Sequence, residues 1–107
     1  IHMAAEFYLH FEPKSWYMNH QDLIKNMMQA LLGYQLITPN IVHLKATTVQ
    51  ETAWQYDVRM FFLEYTILFE ISARNEQLVT ALHAFFMCLR QQVKMQIMDE
   101  DGVISSW

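Results

Sequence analysis

Between Trp54 and Ser72 the chain alternates apolar and polar side chains twice in succession. Trp54, Tyr56, Val58, Met60 and Phe62 alternate with Gln55, Asp57, Arg59 and Phe61, and Ile67, Phe69 and Ile71 then alternate with Thr66, Leu68 and Glu70. A period of two sends successive side chains to opposite faces of an extended backbone, so both runs read as strands with one face on a core. The strands Trp54 to Leu63 and Thr66 to Ser72 lie close enough in sequence for a tight hairpin that reverses at Glu64-Tyr65.

Upstream, Glu6 to Glu12 alternates in the same way, with Phe7, Leu9 and Phe11 on one face, until Pro13 removes a ladder donor. Trp16 and Tyr17 follow in a connection, either as a lid over the core or as an exposed contact. Asn19 is placed to cap a helix whose apolar stripe is Leu23, Ile24, Met27, Met28, Leu31 and Leu32, closed by Gly33. Thr38-Pro39-Asn40 reads as a turn before a β-branched strand, Ile41 to Val49. Asn75 caps a last helix of more than twenty residues with the stripe Leu78, Leu82, Phe85, Phe86, Leu89, Val93 and Ile97, ending before Asp99-Glu100-Asp101. After Gly102, the segment Val103 to Trp107 either docks or stays loose. Both helical stripes need a sheet to cover. The expected fold is therefore α+β: an antiparallel sheet of about four strands packed by two helices, in β-α-β-β-β-α order, as a two-layer sandwich.

The apolar fraction of 53% over 107 residues suits one domain with a real core. Ile1-His2-Met3 has the form of a cloning remnant, which leaves 4–107 as that domain. A net charge of −4, with Lys14, Lys25, Lys45, Arg59, Arg74, Arg90 and Lys94 scattered, argues against nucleic acid and against anionic lipid as partners. The single cysteine, Cys88, reads as a buried thiol in a reducing compartment, which implies an intracellular setting, cytoplasmic or nuclear. Eight methionines suit core filling, and also adaptable surfaces.

Sites of chemistry are scarce in the pattern. His10, His20, His43 and His83 fall in separate elements without ligand spacing, so neither a metal nor a cofactor is expected. Two glycines in total leave no phosphate loop. Asp57, Glu64 and Glu70 read as solvent-facing strand carboxylates, Glu70 the least comfortable between Phe69 and Ile71. Phe61, on the polar side of its strand, marks either an exposed patch or a second covered face.

The order of segments resembles the kinase-associated-1 domain, the small C-terminal domain of checkpoint effector kinases and of relatives of the AMP-activated protein kinase. Phe7-Tyr8-Leu9-His10 is similar to its first strand, and Asp22-Leu23-Ile24 through Ala30-Leu31-Leu32-Gly33-Tyr34 to its first helix and exit. The run from Tyr56 to Glu64, followed by Ile67 to Ile71, resembles its central hairpin, and Leu82 to Val93 its final helix. The resemblance implies a non-catalytic regulatory domain of a Ser/Thr kinase, in autoinhibitory contact with its kinase domain or bound to a partner subunit. Its lipid-binding members carry basic clusters that this chain lacks. Contacts are expected at Trp16 and Tyr17 and on the last helix at Arg90 and Lys94, since aromatic and arginine side chains dominate binding energy. The rival readings are a small dimeric chaperone or adaptor, and a small acid-base enzyme using Glu70 or Asp57 with a histidine.

Overall fold

The computed structural model describes residues 5–45 and 56–107. The expectations for Ile1-His2-Met3, for the end of the strand after Lys45 and for Trp54 and Gln55 lie outside those residues. The elements run β1 (Ala5–Glu12), α1 (Lys14–Asn19), α2 (Gln21–Met28), β2 (Tyr34–Thr38), β3 (Ile41–Leu44), β4 (Val58–Phe62), β5 (Thr66–Ile71), α3 (Glu76–Gln92) and β6 (Lys94–Asp99). The chain is α+β, with one antiparallel sheet in the order β2-β3-β4-β5-β1-β6.

The sheet has six strands rather than about four, and the described residues hold three helices rather than two. The long last helix divides at Val93, which is extended at φ −155 and ψ 150, and residues 94–99 form a strand. Val93 and Ile97 satisfy a helical stripe, but Met95 and Ile97 also alternate with Lys94 and Gln96, and pairing with β1 favours the extended form. The first helix begins earlier than expected. Asn19 ends α1 instead of capping α2, because the chain kinks at His20, whose Nδ1–H donates to the Trp16 carbonyl at 2.6 Å. Asn75 caps α3 as its sequence implies, its Oδ1 accepting from the Leu78 N–H at 3.0 Å. The β4–β5 reversal closes with Leu63 N–H donating to the Thr66 carbonyl at 2.9 Å.

All three helices feed one core. Tyr17, Ile24, Met28, Leu78, Leu82, Phe85, Phe86 and Leu89 pack with Leu9, Phe11, Val42, Met60, Ile67, Phe69, Met95 and Ile97 from the strands. Alternation thus gives the sheet a helix-covered face and an opposite face that no described helix covers. The C-terminal segment docks on the covered side: the Trp107 ring lies 5.7 Å from Phe69, 5.7 Å from Phe86 and 6.0 Å from Phe7. No helix among the described residues is long and apolar enough to cross a membrane.

Candidate functional site: the open face of the sheet

Cross-strand register arranges the open face in rows. One row is polar: Gln35, His43, Arg59, Glu70 and Glu6 stand opposite one another in turn across β2, β3, β4, β5 and β1. The next row is apolar: Ile41, Phe61, Leu68, Tyr8 and Met98 follow across β3, β4, β5, β1 and β6. A third sets His10 between Thr66 and Gln96. Antiparallel sheets with one solvated face ordinarily put polar side chains there. Here five half-buried apolar residues form a stripe instead. At about 4.8 Å per strand it spans roughly 19 Å, the length of a few helical turns or a short extended peptide.

The polar row is fixed by charge. The Arg59 guanidinium meets Glu70 Oε1 through Nε at 2.9 Å and a terminal nitrogen at 2.7 Å. The same guanidinium lies 4.7 Å from the ring centres of both Tyr56 and Phe61, which ties the polar row to the apolar one. Phe61 therefore sits half-buried beneath Arg59, and Glu70 escapes its awkward position by pairing. Burial, and then the Arg59 charge, hold the His43 imidazole below its ordinary value.

Glu6 stands opposite Glu70. Its carboxyl is raised above the ordinary 4.5 by burial first, then by a hydrogen bond to Glu70 and by the charges of Glu70 and Glu100. A raised carboxyl pKa means that the folded chain holds this proton more tightly than the unfolded chain. The contribution to stability is then full below about pH 4.5 and is lost as pH rises through the raised value. Glu6→Gln should be more stable than the parent at pH 7, with the difference vanishing towards pH 4, as paired thermal melts across that range would read. A constant difference at all pH values would contradict this assignment.

The residues expected from sequence as contacts are not brought together. Tyr17 is fully buried, its hydroxyl 2.6 Å from the Leu63 carbonyl and 3.1 Å from that of Thr66, and burial pushes the phenol pKa well up. Trp16 is half-buried, stacked 4.4 Å from His20 and 6.1 Å from Phe11. Trp16→Ala should cost about 2 kcal/mol in denaturant unfolding, below the 3 to 5 of a fully enclosed tryptophan. Arg90 is exposed, with a terminal nitrogen donating to the Trp107 carbonyl at 2.8 Å. Lys94 is not on the last helix at all: it opens β6 and lies 3.4 Å from a Glu12 carboxylate oxygen.

The expectation of a buried Cys88 is also corrected, since the thiol is exposed. It belongs to an apolar groove of about 450 Å³ between α2 and α3, lined by Met27, Ala30, Leu31, Ala81, Ala84, Phe85 and Cys88. The groove exists because α2 stops at Met28, leaving a flank of α3 uncovered. The rows of the open face were missed because they depend on register, which a single strand does not reveal. Alternation did place Phe61, Leu68 and Tyr8 opposite the core residues of their strands.

No group of histidine, cysteine and acidic side chains among the described residues is arranged to hold a metal ion. No family model, curated protein or solved structure matches this chain.

Proposed function

We propose that this domain is a protein-interaction module that docks a partner on the open face of its sheet, and that it regulates a Ser/Thr protein kinase without catalysis of its own. The observation that carries the docking part is the row Ile41, Phe61, Leu68, Tyr8 and Met98, an apolar stripe with a polar row on each side. Apolar surface of this shape loses water when a partner covers it, and the flanking polar rows set the partner's orientation. The kinase part rests on the resemblance to the kinase-associated-1 domain. In that form the occupant is the kinase domain of the same polypeptide or a regulatory subunit.

Two experiments test the two parts separately. The reading frame that encodes the chain should carry a Ser/Thr kinase catalytic domain upstream of Glu6, and a frame without one removes the kinase from the proposal. Added to that catalytic domain, the wild-type module should lower kinase activity and Leu68→Lys should not. Equal inhibition by both would remove the open face as the docking surface.

A further inference from the structure

The third row of the open face ends at a cavity. Along β1 the side chains on this face are Glu6, Tyr8, His10 and Glu12, so the strand runs from the acidic end of the first row, across the apolar stripe, to its far side. There His10 stands opposite Gln96 and Glu12 opposite Lys94, and Lys14 follows at the start of α1. All five line a cavity of about 260 Å³.

The cavity carries an excess of positive charge. Lys94 Nζ lies 3.4 Å from Glu12 Oε2, but both side chains are largely exposed, and a pair so placed is held weakly. Lys14 has no carboxylate within 4 Å among the described residues; its Nζ lies 5.4 Å from the centre of the Tyr65 ring, so its charge is not cancelled. His10 and Gln96 add a ring nitrogen and an amide that can donate hydrogen bonds. In a chain of net charge −4 this place runs against the background. At the other end of β1 the balance is reversed, since Glu6 faces Glu70 and the Arg59 guanidinium is already bound to Glu70. The apolar stripe therefore lies between an acidic flank and a basic one.

We propose that this cavity receives an acidic side chain, a carboxylate or a phosphate, of the protein segment that docks on the open face. The inference rests on that docking and gives the partner its chemistry. Reach favours it: the Tyr8 and His10 rings are 6.4 Å apart, so a segment whose apolar side chain covers Tyr8 and Leu68 sets a neighbouring side chain over the cavity. Lys14 supplies the charge that the anion meets, Lys94 exchanges Glu12 for it, and His10 and Gln96 donate to its oxygens. The Glu6 and Glu70 flank repels the same group, so charge also fixes the direction in which the segment lies.

An NMR titration of the isotope-labelled chain with three acetylated and amidated tripeptides, leucine-phenylalanine followed by aspartate, phosphoserine or lysine, tests this. The two acidic peptides should move the amide signals of His10, Lys94 and Gln96 and bind about tenfold more tightly than the lysine peptide. Lys14→Glu should erase that preference, and Glu12→Gln, which removes the competing carboxylate, should enlarge it, both at the parent's melting temperature because the two side chains are exposed. A tighter phosphoserine peptide identifies phosphate as the group received, and equal binding of the two acids identifies the carboxylate. Equal binding of acidic and lysine peptides, an acidic preference that survives Lys14→Glu, or no shift at the cavity with any peptide would overturn the inference and leave the open face as a docking surface. An intact acidic preference with every peptide bound as tightly by Leu68→Lys would instead overturn the docking on which it rests.

Discussion

Phe69→Ala should lower the stability of this domain by about 4 kcal/mol, roughly 15 to 30 °C in Tm for a chain of this size. Phe69 is 0% exposed on the covered face of the central strand β5. Its ring stacks 5.1 Å from Phe7, tilts 5.3 Å from Phe86 and meets the edge of Trp107 at 5.7 Å. Truncation removes the transfer free energy of the ring and leaves a cavity bounded by two strands, a helix and the C-terminal tail, which cannot all close on it. The tail should loosen as well, because Trp107 loses one of its aromatic partners. Denaturant unfolding followed by tryptophan fluorescence reads both effects. A loss of about 1 kcal/mol or less would mean that the covered face is not packed as described.

The second large effect is expected at Gly33→Ala. Gly33 has φ 69 and follows the turn that delivers the chain into β2. An L side chain in that conformation costs about 1 to 3 kcal/mol by backbone strain alone. Here a Cβ would also run into the carbonyl of Lys45, the residue just past the end of β3, whose own N–H donates to Gly33. The obstacle is backbone, so no rotamer change relieves it, and β2 must separate from β3. The expected result is a loss of about 3 kcal/mol or more, with amide hydrogen exchange rising first at β2 and β3. Gly102→Ala is the control, since Gly102 also has a positive φ of 79 but no atom of the described residues lies within 4 Å of its Cβ position. It should cost only the backbone strain. Equal costs at the two glycines would contradict the close approach at Lys45.

What could be read from the sequence depended on whether an element declares itself locally. The β4–β5 pair alternates cleanly and reverses at Glu64-Tyr65, so its strands, its core face and its turn were all legible. Asn75 was legible as a cap because its side-chain oxygen acts only three residues away. β6 was not, because Leu89, Val93 and Ile97 extend a helical stripe with no glycine or proline to break it, and the alternation that competes with it gains only when β1 offers an edge. β2 was hidden for a related reason: an edge strand with Leu36 and Ile37 both exposed carries little of the one-sided pattern that marks a strand. Tyr17 and Cys88 were misjudged in opposite directions. The aromatic connection became a helix that buries Tyr17, and the early end of α2 exposed the thiol.

The sheet gives one face to its own helices, and no helix among the described residues covers the other, the face proposed to dock a partner. Leu68 and Phe69 are neighbours in sequence on opposite faces, so the unfolding free energy of Leu68→Lys reads whether the second face is open in the folded chain. The expected change is about 1 kcal/mol or less, as at surface positions, beside the collapse expected at Phe69. A loss of about 3 kcal/mol or more at Leu68 would mean that the open face is itself covered in the folded chain, and the docking surface would have to be sought elsewhere.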